Sequence, residues 1–229
     1  MLLVLTATPN EMRAAFPDAP VVASGGTAEH AVGGRNLLLG VTGVGLVNTA
    51  LNVGTWLGGR DLDGVVDLGI AGGYDLGETP MGTVCFAWQE TWPEYGLLGE
   101  DGAADPKAIG FAQGEAEGRK IWNRVKLSPV RDAARMGLAL GDGWTRVSSV
   151  TVSGVTGTPE RAGWLKIFCN GQMENMEGFA AAYAAALREL PFLEVRTISN
   201  LVGSREPEDW DLKGALRSLK GAADTLFAA

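Results

Sequence analysis

Apolar positions in this chain come as short continuous runs separated by Gly-rich turns, and strict alternation is rare. Such runs cover residues 2–7, 36–42, 64–69, 83–88, 146–152 and 192–199, and each predicts a strand covered on both faces. Helical spacing appears between several of them. Residues 47–57 follow the turn Gly43-Val44-Gly45, residues 176–190 are Ala-rich and stop before Pro191, and residues 210–227 form the last periodic stretch. Doubly buried strands interleaved with helices predict an α/β fold, a central twisted sheet flanked by helices.

Residues 91–118 break this pattern. Pro93, Gly96, Gly99, Gly102, Pro106, Gly110, Gly114 and Gly118 stand there among acidic residues, and no periodicity survives. The stretch predicts a long surface excursion of the kind used as a lid, a binding arm or a subunit contact. The full 229 residues, 46% hydrophobic and 20% charged, suffice for one sizeable core, so one domain over residues 1–229 is expected.

Charge and composition then remove whole classes of function. A net charge of −8 opposes binding to nucleic acid, whose affinity rests on Lys and Arg, and favours a small-molecule partner. The first apolar run has no basic segment before it and is too short to span a membrane, which predicts a cytoplasmic protein without membrane contact. Cys85 and Cys169 are isolated from each other, so buried thiols are expected, with no disulfide and no metal site. His30 is the one histidine. A Ser-His-Asp relay would rest on that single ring, so acid-base work falls to carboxylates.

Three Gly-rich turns follow strands: Thr42-Gly43-Val44-Gly45, Leu68-Gly69-Ile70-Ala71-Gly72-Gly73 and Ser153-Gly154-Val155-Thr156-Gly157. The first opens a helix, yet Asn48 stands where a dinucleotide fingerprint needs its third glycine, and no Gly-Lys-Ser/Thr follows any of them. Glu11, just past the first strand, reads either as a helix-start acid or as a chemical group. Glu177 has the same two readings, Met176 reads as core or as a pocket floor, and Asn200 as a turn residue or a hydrogen-bonding tip. With helical geometry, Glu174 and Glu177 would share a face.

Taken in order, these segments resemble the nucleoside phosphorylase and nucleosidase superfamily. Gln172-Met173-Glu174-Asn175-Met176-Glu177-Gly178 resembles its ribose-binding signature, residues 41–50 resemble its Gly-Ile-Gly turn and helix, and residues 67–73 are similar to its Asn-Thr-Gly-Ser-Ala-Gly-Gly segment, with Ile70 at the serine position. Residues 5–12 resemble the first strand and acidic turn of the nucleosidases. The resemblance implies a three-layer nucleoside phosphorylase-like fold, no cofactor or metal, a nucleoside substrate and a homo-oligomer. By the same resemblance Glu11 orients and deprotonates water and Glu177 accepts the ribose hydroxyls above Met176. Ala71, Gly72 and the segment from Val152 to Val155 line the base.

One departure bears on specificity. Adenine-releasing members end the last strand Ile-Ser-Asp, whereas this chain has Ile198-Ser199-Asn200. An amide NH₂ donates to O6 and N7 of a 6-oxopurine and cannot supply a full proton, so hypoxanthine is expected in preference to adenine. Residues 200–206 with Trp210 resemble the branch that releases hypoxanthine from futalosine, in the alternative route to menaquinone. There Arg205 would meet the substrate carboxylate or else pair locally with Glu206 or Asp209. An adenine-releasing nucleosidase, a phosphorylase using Arg13 or Arg35 for phosphate, and a non-catalytic nucleoside binder are the alternatives.

Overall fold

The unbroken apolar runs become the interior of one large sheet. The computed structural model describes residues 1–99 and 104–228. Its first strands are β1 (Leu2–Thr6), β2 (Thr27–Val32), β3 (Arg35–Val41), β4 (Gly64–Gly73) and β5 (Val84–Thr91). The short β6 (Leu97–Leu98), β7 (Ala104–Asp105), β8 (Gly114–Ala116), β9 (Arg119–Ile121) and β10 (Arg124–Lys126) follow, then β11 (Thr145–Thr151), β12 (Met173–Asn175) and β13 (Phe192–Leu201). The helices are α1 (Pro9–Ala15), α2 (Leu46–Leu57), α3 (Pro129–Arg135), α4 (Pro159–Cys169), α5 (Gly178–Leu187) and α6 (Leu212–Leu226).

β1 lies between β3 and β4, all parallel, and β4 runs parallel to β13 on its other side. β13 then pairs antiparallel with β5, β5 parallel with β11, β11 parallel with β12, and β12 returns antiparallel to β4. This half of the mixed sheet closes into a ring of strands around a small core of Ala71, Cys85, Ala87, Val147, Met173 and Ile198. The edges of the whole sheet are the antiparallel β10, paired with β5, and β2, paired with β3.

Side-chain alternation along the strands sorts two helical layers. Leu2 and Val4 of β1, with Val66, Leu68, Leu193 and Val195, pack on Met12 of α1, Ala133 of α3 and Leu219 of α6. Leu3 and Leu5, with Val65 and Phe192, pack on Val53 and Trp56 of α2 and on Phe179 and Ala182 of α5. Each such side chain taken fully from water contributes about 1.5–3 kcal/mol, which makes these two layers the main support of the sheet.

Several expected boundaries move. The Ala-rich helix starts at Gly178, not 176, because residues 173–175 form a strand between β11 and β4. Glu174 is therefore a strand residue, and the shared helix face with Glu177 does not exist. Helices α3 and α4 occupy stretches to which the apolar pattern assigns no element. The excursion over 91–118 begins at the last residue of β5 and returns through two small antiparallel pairs, β6 with β7 and β8 with β9, while its residues 100–103 lie outside the described residues. Both cysteines are buried, and burial pushes the Cys85 thiol up to about 12 and the Cys169 thiol to about 11, so they stay protonated. Among the described residues no helix is long and apolar enough to cross a membrane.

Candidate active site

The parallel strands end at one edge of the sheet, and the segments beyond those ends enclose a cavity of about 360 Å³. Glu11 enters it from α1. Thr8 and Glu11 make a capping box: the Glu11 amide donates to Thr8 Oγ1 (3.3 Å), and Glu11 Oε2 accepts from the Thr8 amide (2.8 Å) and hydroxyl (2.7 Å). Glu11 Oε1 accepts the Ile70 amide at 3.0 Å, which ties α1 to the end of β4. A carboxylate has about four lone-pair sites, so this buried group keeps one for a small donor in the cavity.

Glu177 faces the same space from the start of α5. It occupies the N-cap position, and its side chain reaches away from its own helix to accept the Gly45 amide at 2.9 Å through Oε1. Gly43 and Gly45 have φ of 79° and 93°, a region that disfavours side chains, and that turn aims the Gly45 N–H at Glu177. The Gly-Val-Gly turn thus holds a carboxylate. Burial pushes the Glu177 carboxyl above its ordinary range, while Arg196 and the Gly45 N–H pull it down and Glu11 raises it further.

Beneath both acids lies Arg196 of β13, fully buried. Its Nη2 donates to Asp67 Oδ2 at 2.5 Å, its Nε to Glu194 Oε1 at 3.1 Å, and its Nη1 lies 3.8 Å from Glu177 Oε2. Nη1 has no hydrogen-bond partner among the described residues. Burial alone would lower this guanidinium, but Asp67, Glu194, Glu177 and Glu11 more than offset it, so it stays charged. Gly69 makes the approach possible: a Cβ there would collide with Arg196 Nη1 and stand 2.9 Å from Glu11 Oε1.

The opposite wall carries the polar tip of β13. Ala71 and Gly72 line the cavity beside Asn200, whose Nδ2 donates to the Leu201 carbonyl (3.1 Å). The Ser199 hydroxyl lies 2.8 Å from Asn200 Oδ1 and donates to it, which orients the amide with its NH₂ away from that serine. Met176, Val155 and Val202 supply apolar surface. Arg205 stands exposed at the rim, its guanidinium 5.6 Å from the centre of the Trp210 ring, and among the described residues it forms no ion pair with Glu206 or Asp209.

The Phosphorylase superfamily profile matches residues 2–228. The chain belongs to that superfamily. Among its relatives is a futalosine hydrolase of Streptomyces coelicolor, 35% identical over 171 residues that cover 74% of this chain and 67% of the relative. Another, from Thermus thermophilus, is 32% identical over 190 residues, covering 82% of this chain and 79% of the relative. A methylthioadenosine/adenosylhomocysteine nucleosidase of Helicobacter pylori has the same fold, with TM-score 0.74 at 15% identity over 98% of this chain and 94% of its own. A futalosine hydrolase of that organism gives 0.70 at 15% over the same shares.

Within this superfamily fold, the expected residues Glu11, Ala71, Gly72, Met176, Glu177, Asn200 and Arg205 all border the one cavity. Val152 does not. It is sealed against Val150, Leu165 and Cys169 because its alternation faces α4, and Val155 takes the place at the wall. Glu174 does border the cavity, from β12. Its Oε2 accepts from Tyr74 Oη (2.9 Å) and Thr156 Oγ1 (2.5 Å) and its Oε1 from the Thr156 amide (3.0 Å). Burial, then Glu174, pushes the Tyr74 phenol upward, which keeps it a donor. Asn175 borders the cavity too, while its side-chain amide hydrogen-bonds into the core behind Glu177.

Sequence reasoning missed Arg196. The available signal was two charged residues, Glu194 and Arg196, inside an otherwise apolar strand, a costly placement that needs partners.

Proposed function

We propose that this chain hydrolyses the N-glycosidic bond of futalosine, releasing hypoxanthine as water attacks C1′ of the ribose. The observation that carries the reading is a pair of buried carboxylates, Glu11 and Glu177, facing one cavity above a charged arginine with a free N–H. Glu11 uses its remaining lone pair to orient the water and take its proton. Glu177 accepts the 2′- and 3′-hydroxyls with Met176 under the sugar, and its charge stabilises the oxocarbenium character that develops as the bond breaks. Arg196, sealed beneath the cavity wall, gives both acids a positive neighbour. Ala71, Gly72 and Val155 flank the base. Asn200 Nδ2 donates to the departing 6-oxopurine, for which its anchored orientation is suited.

The futalosine hydrolase relatives support the substrate, and the site's charges support water over phosphate as nucleophile. A phosphorylase needs cations at the position Glu11 occupies. Arg35 is spent on the Met136 and Gly137 carbonyls, and Arg13 borders a separate small cleft. Arg205, free at the rim, is the partner for the carboxylate on the substrate's benzoate arm. We place the enzyme in the cytoplasm, in the futalosine route to menaquinone, as a homo-oligomer. The exposed apolar Val47 and Leu51 of α2, near Val44 of the cavity, offer a contact surface for a second copy.

The deciding experiment incubates the protein with futalosine, aminodeoxyfutalosine, methylthioadenosine or inosine, each with and without phosphate, and separates the products. Hypoxanthine from futalosine without phosphate is the expected result. Ribose 1-phosphate formed only in the presence of phosphate would replace hydrolysis by phosphorolysis, and a nucleoside-induced rise in melting temperature without any free base would make the chain a binder.

A further inference from the structure

Behind the ribose clasp lies a second acid pair that the chemistry above leaves unused. Glu90 of β5 and Glu194 of β13 are fully buried, and an Oε1 of each lies within hydrogen-bonding reach of the same Asn175 Nδ2, at 2.7 and 3.2 Å. Two carboxylates this close and cut off from water do not both ionise, so the pair holds one proton. The surrounding donors show where it sits. Glu90 Oε2 accepts from Thr151 Oγ1 (2.7 Å) and Glu90 Oε1 from Asn175 Nδ2 (2.7 Å). Glu194 Oε1 accepts from Arg196 Nε (3.1 Å) and Asn175 Nδ2 (3.2 Å). Glu194 Oε2 faces no donor among the described residues, so it is the oxygen left to carry the proton. Burial pushes both carboxyl groups upward, in keeping with this.

Asn175 connects this pair to the clasp. Its Nδ2 is gripped by Glu90, by Glu194 and by Ser149 Oγ at 2.8 Å, which fixes the amide so that Oδ1 points at the start of α5. There Oδ1 accepts the amides of Glu177 (2.8 Å) and Gly178 (2.7 Å). A Cβ at 178 would strike Glu90 Oε1 and stand 2.7 Å from Glu194 Oε1, so the helix start is seated directly on the acid pair. A second route runs through Arg196, which touches Glu194 with Nε and approaches Glu177 with Nη1. The charged groups acting on Glu194 are Glu90 from β5 and Arg196 from its own strand, with Asp67 of β4 beside them, while Glu177 from the start of α5 and Glu11 from α1 act on Arg196.

We propose that Glu90, Glu194 and Asn175 are positioning residues for the ribose clasp: one shared proton keeps Glu194 neutral, so that Arg196 serves Glu177 and Asn175 holds the Glu177 backbone in place. This rests on the reading of Glu177 as the ribose acceptor. With the proton gone, a further anion competes for the single arginine and pulls on the Asn175 amide. The clasp then loosens, and KM rises on the alkaline side.

Two substitutions and one spectrum test it. Glu194→Gln keeps an acceptor for Arg196 and Asn175 and a donor for Glu90. It should leave kcat/KM for futalosine within about threefold of the parent at neutral pH, well under the cost of losing a charged hydrogen bond, while abolishing the alkaline rise in KM. Asn175→Asp keeps the cap on Glu177 but sets a third carboxyl against the pair. It should lower kcat/KM at least about tenfold, chiefly through KM, with partial recovery on acidification as the cluster gains a proton.

The infrared difference spectrum of the substrate-free protein, parent minus Glu194→Gln, should show a protonated carboxyl band. A missing band overturns the shared proton even in an active enzyme. An unchanged alkaline KM profile in a folded Glu194→Gln variant overturns the positioning role. If no nucleoside is cleaved, the function reading fails by itself, and the inference is then judged by the same band and by the pH dependence of the Kd for inosine.

Discussion

The ladder of β4 and β13 has two faces on one backbone. Toward α1 and α6 it presents Val66, Leu68, Leu193 and Val195, and toward α5 it presents Asp67, Gly69, Glu194 and Arg196. Both faces are almost wholly buried. The apolar face gains free energy as it leaves water, whereas the charged face loses hydration that its ion pairs and hydrogen bonds only offset. Replacing a buried ion pair with well-packed apolar side chains is often neutral or stabilising, so stability gives little reason for the charged face. Its value lies above it, where Arg196 supports Glu11 and Glu177.

Substitutions on or beside each face sharpen that contrast. The largest effect belongs to Glu11→Gln, which removes the proposed base and should lower kcat on futalosine by about 10²–10⁴-fold with little change in melting temperature. Turnover within a few-fold of the parent would remove Glu11 from the chemistry. Leu193→Ala, on the apolar side, should cost about 2–5 kcal/mol in urea unfolding while the folded protein keeps its KM. A shift in KM would mean that the faces are not independent.

Glu177→Gln weakens the clasp by about 1.5–3 kcal/mol, read as a roughly 10–150-fold drop in kcat/KM. The pH profile has a definite sign. As the proposed ribose acceptor Glu177 works as the anion, and its carboxyl is raised by burial, so kcat/KM should fall on the acid side beginning above the ordinary Glu range. Stability runs the other way. Acids raised on folding bind protons more tightly in the native state, so Glu90, Glu177 and Glu194 contribute stability below the ordinary Glu range that is lost as pH rises through their elevated values. Melting temperature measured across that range should decline toward alkaline pH. The smallest effect is that of Asn200→Asp, about 1–3 kcal/mol in the preference for inosine over adenosine; an unchanged ratio of kcat/KM would take Asn200 out of base recognition.

The layout of the sheet was legible because six of its strands are continuous apolar runs, and burial on two faces leaves that mark in any sequence. β12 was not legible. Three residues, Met173, Glu174 and Asn175, carry no periodicity, and their extended form is imposed by β11 and β4 on either side. α4 hid for another reason: its apolar positions are too scattered to mark a face. Yet Thr158 caps it and Pro159 opens it, a start signal that was there to be read. At the site, Glu11, Met176, Glu177 and Asn200 could be singled out because each stands at a strand end or helix start. The partners of Arg196 and Asn175 could not, because they meet only across strands distant in sequence.

The hydrogen bond from Gly45 to Glu177 joins residues 132 positions apart, and that from Arg196 to Asp67 spans 129. Contacts this remote are slow to form, since the loop between them must first surrender its freedom. Helices such as α2 and α5 close in local steps, but β13 must find its slot between β4 and β5 before Arg196 reaches Asp67 and Glu177. A nascent chain therefore carries most of its strands for some time without a pocket. Catalytic competence is among the last properties it acquires, when the segment around residue 200 comes home beside one laid down far earlier.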